Sequence, residues 1–205
     1  MTADAATEEI PLFPLQAVLF PGGPLPLRIF EPRYVDLVGR CLKSQSGFGV
    51  VLILEGGEVG GVSALASVGT YASIEDFSQL PDGLLGIFCR GGRRFRLLDR
   101  RQEVDGLHVA TVQWLQKPAA TPLPPEYEPL AQLLERVLPE LGALYAKVEP
   151  RLDDADWVGC RLAEILPIEQ REKQRLLEAD PAGRLASLAP LLRREDDDAG
   201  LAAQN

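Results

Sequence analysis

The chain has one histidine, His108, and three cysteines, Cys41, Cys89 and Cys160, among 205 residues. None of the cysteines stands in a C-x-x-C pair. A structural zinc site takes four Cys or His ligands, and these four residues are scattered. Odd in number and isolated, the thiols read as small buried hydrophobes in a reducing compartment. The same scarcity argues against a hydrolase. A nucleophile needs a base beside it, and His108 falls in an expected strand next to the Asp105-Gly106 turn. Long apolar runs are missing as well. The longest, Val50–Leu54, is far too short to cross a bilayer. The opening MTADAATEEI has neither the basic nor the apolar region of a signal peptide, so a cytoplasmic protein without a membrane partner is expected. No G-x-x-x-x-G-K-[ST] loop occurs, since the Lys43-Ser44 pair lacks its glycines. No cofactor, metal or catalytic set is expected.

Positive charge is also short. The net charge is −9, and it is uneven: the first 118 residues carry 11 Lys and Arg against 13 Asp and Glu, the remainder 10 against 17. An acidic chain gains no counterion-release affinity for nucleic acid, so a general DNA or RNA binder is disfavoured.

What is present is dense punctuation. Ile10–Leu15 reads as a strand, and Pro11 and Pro14 make it an edge or bulged one. Val18–Phe20 continues the extended chain. Pro21-Gly22-Gly23-Pro24 is a turn, and Leu25–Ile29 a second strand. From Pro32 the apolar period changes to that of a helix, with Tyr34, Val35, Leu37, Val38, Cys41 and Leu42 at spacings of three and four. The helix runs to about Lys43, and Ser44–Gly47 ends it, with glycine available as a left-handed cap. Phe48–Leu54 reads as a strand buried on both faces. Gly56–Gly61 is then a hairpin connection rather than a phosphate loop. Strands follow to Leu115, with turns at Pro81-Asp82-Gly83, Gly91-Gly92 and, as a type I′ hairpin, Asp105-Gly106. About five or six strands with short turns and one helix give a small curved antiparallel sheet or pseudo-barrel.

The composition shifts at residues 118–129, where Pro118, Pro122, Pro124, Pro125 and Pro129 make a semi-stiff linker. Beyond it the pattern is helical. A first helix to about Lys147 is kinked by Pro139. A second starts at Asp153 or Asp154, a third spans about Ile168–Glu178, and a fourth starts at Asp180-Pro181. The fold class is thus α+β: a β-rich unit over 9–117, the linker over 118–129, and a bundle of about four helices over 130–192. Disordered tails are expected at 1–8 and 193–205.

The text IPLFPLQAVLFPGGPLPLRIFEPRY, from Ile10 to Tyr34, resembles the opening of the substrate-binding domain of Lon, the ATP-dependent protease. Later pieces follow in the family's order: Val68-Gly69-Thr70, Pro81-Asp82-Gly83, Gly92-Arg93-Arg94-Phe95-Arg96, Leu166-Pro167, Glu172-Lys173-Gln174 and Arg184-Leu185. The resemblance covers roughly residues 9–192. It implies a PUA-like β pseudo-barrel followed by a helical bundle. It also implies a module that takes unfolded or exposed apolar polypeptide; the chain departs from the family in having no Walker loop and no room for ATPase or protease domains, so a non-catalytic module is expected. Two other readings are an adaptor for a separate ATPase or protease, and a PUA-like RNA binder.

Three places are candidate sites. The first is Arg28, Phe30 and Tyr34, with Glu31 and Arg33, which border a peptide groove or else serve as core and helix-start residues. The second is the basic hairpin of Arg90, Arg93, Arg94, Arg96, Arg100 and Arg101, a phosphate or RNA surface or else a solvated strand face. The third is the seam between sheet and bundle, near Trp114, Tyr127 and Trp157, either an open cleft for an apolar segment or a filled core.

Overall fold

The structure, a computed structural model, describes residues 7–58 and 61–202, with side chains to Leu191. Pro11 and Pro14 lack amide hydrogens, and the strand that carries them, β1 (Thr7–Leu15), is arranged around that lack. Its first part, Thr7–Leu12, pairs antiparallel with the final strand of the sheet, His108–Trp114. Its last part, Leu12–Leu15, pairs parallel with Gly47–Gly57. The expected edge strand is therefore an internal one. Each proline nevertheless falls where β1 has a neighbour on one side only, locally at an edge, where a missing donor is tolerated.

The strands in order are β1, β2 (Pro24–Ile29), β3 (Gly47–Gly57), β4 (Gly61–Leu65), β5 (Val68–Gln79), β6 (Leu85–Gln102) and β7 (His108–Trp114). The path β1-β7-β6-β5-β3 returns to β1 through the parallel pairing and closes a barrel. β2 pairs with the first part of β6, and β4 folds back on β3 as the expected hairpin. The apolar run of β3 is buried from Gly47 to Ile53. Val18–Phe20 continues the chain outside any strand.

Helix α1 (Pro32–Ser44) begins on Pro32 and buries Tyr34, Leu37, Val38 and Cys41 against Phe13, Phe48 and Val50. Its left-handed cap is Gln45, at φ 52°, and not a glycine. Gly47 is needed two residues later, as the first residue of β3, where a Cβ would run into the Ala72 carbonyl oxygen.

Two expected turns are different. Gly91-Gly92 is no turn, because β6 runs through it unbroken. Gly91 exchanges hydrogen bonds with the Pro-Gly-Gly-Pro turn: Gly22 N–H donates to its carbonyl (2.7 Å), and its own N–H donates to Gly23 O (2.9 Å). A Cβ on Gly91 would fall inside the van der Waals shell of the Phe20 carbonyl oxygen. The glycine is there for close approach rather than for reversal. Asp105-Gly106 is no type I′ turn either. Gly106 has φ 86°, but Asp105 does not share a positive φ, and the loop closes one residue wider, with Glu103 N–H donating to Leu107 O.

After β7 the chain runs extended from Leu115 to Pro124, with a single bridge between Pro122 and Asp154. Helices α2 (Glu128–Val137), α3 (Ala155–Ile165), α4 (Gln170–Glu178) and α5 (Pro181–Ala202) follow. The helix expected to reach Lys147 stops at Val137. Leu138–Leu144 continues it in 3-10 form, broken at Gly142, and Pro139 removes a donor at the junction. Asp154 caps α3 by accepting from Asp156 N–H and Trp157 N–H. Asp180 accepts from Gly183 N–H at the start of α5 (2.7 Å). Helix α5 extends past Arg193, where the sequence suggested a tail. Of the other expected tail, residues 1–6 lie outside the described residues, and Thr7 and Glu8 already belong to β1. The bundle core takes two residues from the barrel side, Phe20 and Val68. Among the described residues, no helix is long and apolar enough to cross a membrane.

Candidate functional site

The Pro-Gly-Gly-Pro turn is held between β6 and α3. On the α3 side, Arg161 Nη2 donates to Pro21 O (2.8 Å) and to Glu164 Oε1 (2.7 Å). Gly22, at φ 76°, lies against the same guanidinium, and a Cβ there would come within 3.3 Å of Arg161 Nη1. Arg161 is fully buried, and its Nε and Nη1 have no partner among the described residues. Burial outweighs the Arg161 ion pair at Glu164 and pushes its carboxyl up to about 7. Tyr145 Oη donates to Glu164 Oε2 (3.2 Å), and burial raises that phenol. Lys173 Nζ donates to Glu164 O (2.7 Å), and burial lowers the Lys173 amine.

Beside this turn, barrel and bundle leave a cleft of about 600 Å³. Its walls are Pro21, Gly22, Gly91 and Gly92 from the barrel, Leu115–Ala120 from the connecting segment, and Trp157 and Cys160 from α3. Arg93, Arg94, Lys117, Arg151, Asp154 and Asp156 complete the lining. On β6, Arg94 faces Thr70 and Gly91 faces Ala72, so Gly92 and Arg93 together oppose Tyr71. This β-bulge at the cleft turns Arg93 over the Trp114 ring, 5.0 Å from its centroid.

The seam candidates divide. Trp157 is 8% exposed, and its residue lines the cleft. Trp114 lies outside the lining. It stands edge-on to Tyr71 and Phe95, and its Nε1 donates to Glu8 Oε2 (2.8 Å). Tyr127 packs half-buried on the bundle core, away from the cleft.

The basic hairpin does not form one surface. Arg90 holds Glu75 through two hydrogen bonds and reaches Gly22 O (3.2 Å). Arg94 crosses to the bundle, where Nη1 donates to the Leu177 and Ala179 carbonyl oxygens. Burial, and then Arg184, lower its guanidinium. Arg100 donates to Ser63 O (2.8 Å), and Arg101 pairs with Glu9 (3.3 Å). Arg93 and Arg96 are exposed.

At the first candidate site, Tyr34 is buried and stacked on Phe13 at 4.0 Å between centroids. Arg33 lies over its ring, pairs with Glu31 (2.7 Å) and donates to Gly106 O (2.8 Å). Phe30 is 58% exposed, and Arg28 pairs with Asp82 on the surface. A small cavity of about 180 Å³ includes Arg28, Phe30 and Tyr34.

The thiols are placed for packing. Burial pushes Cys89 and Cys160 up to about 12 and raises Cys41. Burial lowers His108, with Arg100 and Arg33 acting in the same direction. Among the described residues, no group of three or more His, Cys, Asp or Glu could hold a metal ion.

Sequence reasoning missed Arg161 and Glu164 as fasteners of the seam, and Arg184, which ties α3, the end of α4 and α5 together within the bundle. A signal existed for the first two. Arg161 and Glu164 are charged residues on α3, whose other residues from Trp157 to Ile165 are all apolar or glycine.

A closed β-barrel joined to a helical bundle through an interlocked turn, with a cleft at the seam, defines an α+β scaffold. The sequence model of the ATP-dependent protease La (LON) substrate-binding domain matches residues 9–194. The chain belongs to that family. It is 42% identical to the Lon N-terminal domain protein from Xanthomonas campestris, whose crystal structure superposes with a TM-score of 0.75 over 89% of this chain and 98% of that one. The N-terminal domain of the Mycobacterium avium complex Lon protease shares the fold at 18% identity, with a TM-score of 0.64 over 88% of this chain and 96% of that one. Lon protease 2 of Myxococcus xanthus is 25% identical over 91% of this chain and 24% of its own length. Protein cereblon of Xenopus tropicalis is 30% identical over 55% of this chain and 25% of its own length. The chain spans about a quarter of the length of the curated relatives it matches.

Proposed function

We propose that this chain is a non-catalytic module that binds exposed polypeptide segments in the cleft between barrel and bundle, acting in the cytoplasm. Membership of the Lon substrate-binding family supports polypeptide as the ligand class. The observation that carries the site is the cleft itself. It has the size of a ligand site, an apolar base at Trp157 and Leu115, and one wall made of the extended segment after β7. Among the described residues, no backbone–backbone hydrogen bond reaches Gln116–Ala120. Open backbone beside an apolar base is what an extended peptide requires. The buried thiols are protonated at neutral pH, which supports a binding rather than a catalytic role. Such a module would serve a separate ATPase or protease by presenting the bound segment.

The RNA reading loses its support in the hairpin, because Arg90, Arg94 and Arg100 are spent on Glu75 and on carbonyl oxygens. The test is a titration of the chain against a labelled, permanently unfolded protein, followed by anisotropy. Saturable binding at tens of micromolar is expected. No saturation across that range sinks the proposal.

A further inference from the structure

The charge of the cleft runs against the charge of the molecule. The chain has a net charge of −9, yet four cations line the cleft, Arg93, Arg94, Lys117 and Arg151, against two acids, Asp154 and Asp156. Both acids are already engaged. Asp154 caps α3 and pairs with Arg151 (3.1 Å). Asp156 accepts from Arg184 Nη1 (2.6 Å). Arg94 touches carbonyl oxygens only. Arg93 lies over the Trp114 ring, and neither it nor Lys117 has a carboxylate partner among the described residues. The cleft therefore keeps uncompensated positive charge at an exposed rim, above an apolar base.

The wall adds a geometric condition. Gln116–Ala120 contains no helix, turn or bend, and five residues at ~3.3 Å each, fully extended, make a rail of at most about 17 Å. Pro118 removes one donor from that rail. A second strand laid along it would alternate its side chains, every other one toward the base and the others toward the rim.

Resting on the reading of this cleft as a polypeptide site, we infer that its preferred occupant is an extended segment in which apolar residues alternate with carboxylates. The apolar side chains meet Trp157 and Leu115, and the carboxylates meet Arg93 and Lys117. A side-chain carboxylate and a chain-terminal carboxylate present the same chemistry to these cations. The acidic surface elsewhere repels such a segment at long range, so a preference for it can only come from a local site.

The test uses the full chain and labelled peptides of about eight residues, the length that covers the rail. The peptides alternate Leu with Glu, Gln or Lys, and each is made with a free and an amidated C-terminus. The Leu-Glu peptide is expected to bind at least tenfold tighter than Leu-Gln, and Leu-Lys weakest. Added salt should reduce the Leu-Glu preference. Arg93→Glu with Lys117→Glu, both on the surface, should remove it. Amide exchange at Gln116, Lys117, Ala119 and Ala120 should slow in the complex. A Leu-Glu preference over Leu-Gln that survives amidation assigns the contact to the side chains and supports the inference; one that vanishes on amidation assigns it to the terminus and overturns the alternation. Equal binding of Leu-Glu and Leu-Gln, or a preference unchanged by the double reversal, overturns it. If the unfolded protein still saturates in that case, the polypeptide-site reading stands and only the carboxylate preference falls. If neither peptides nor unfolded protein bind, both fall.

Discussion

Gly91→Ala and Gly92→Ala give the sharpest test of how the two halves are joined, because the two glycines are adjacent and the structure assigns them unequal roles. A methyl on Gly91 has nowhere to go. The Phe20 carbonyl oxygen occupies its place, and Leu19 Cγ lies 3.2 Å from it on another side. The Pro-Gly-Gly-Pro turn must back away, which breaks the reciprocal bonds of Gly91 with Gly22 and Gly23. Two backbone bonds at about 1 kcal/mol each, with about 1–3 kcal/mol for overpacking, give a loss of roughly 3–5 kcal/mol. A methyl on Gly92 meets only the Tyr71 carbonyl oxygen, at 3.3 Å. Neither glycine has a positive φ, so Gly92→Ala should cost under ~1 kcal/mol. Urea unfolding followed by tryptophan fluorescence and by circular dichroism measures both. If the two substitutions cost the same, or Gly91→Ala costs less than about 1 kcal/mol, the close approach of turn and strand is wrong.

Glu164 should make stability fall as pH rises. Its carboxyl is pushed from 4.5 up to about 7 in the folded chain, so between those values the folded state holds more protons than the unfolded one. Stability is highest below the unfolded value, declines through the window and is flat above about 7, a change on the order of 3 kcal/mol. Glu164→Gln removes the titrating group that Arg161, Tyr145, Lys173 and Arg90 surround. Relative to the parent, the variant should gain as pH rises from 4.5 to 8; parallel stability curves would show that the pair titrates normally. Asp154→Ala strips the cap from α3, with an expected loss of ~1 kcal/mol, read as a lower urea midpoint. It also frees Arg151 at the cleft, so affinity for the Leu-Glu peptide should rise; an unchanged midpoint would show that the two amides find other acceptors.

The sequence made some of these features readable and hid others for physical reasons. The β3 strand was legible because Phe48–Leu54 has a composition that suits burial on two faces, and burial follows as far as Ile53. The starts of α1, α3 and α5 were legible because Pro32, Asp154 and Asp180 act on residues within one turn of themselves. Gly91-Gly92 was misread because a glycine pair serves a reversal and a close approach equally well. Only Phe20, far away in sequence, decides between them. The arginines of β6 were opaque for a similar reason. Charge names what a side chain can bind, but Arg94 binds backbone carbonyls at the end of α4, which no residue type announces. Of the seam aromatics, Trp157 lines the cleft, while Trp114 supports Arg93 from beside it and Tyr127 belongs to the bundle core.

The stretch from Pro11 to Tyr34 therefore has a role that its own residues only half express. Phe13 and Tyr34 stack inside the barrel. Phe20 sits in the core of the bundle. Between them Pro21 accepts from Arg161, and Gly22 and Gly23 bond to Gly91. One turn thus carries the contacts that fix β6 relative to α3, and the cleft is the gap between those two elements. Arg161 and Glu164, which hold the turn from the α3 side, lie outside the lining of the cleft. The buried guanidinium has two nitrogens without partners, and burial pushes the Glu164 carboxyl up to about 7. A buried pair that loses one partner costs about 3–5 kcal/mol. Loosening the turn moves Gly22 and Gly91 directly, because both are cleft walls.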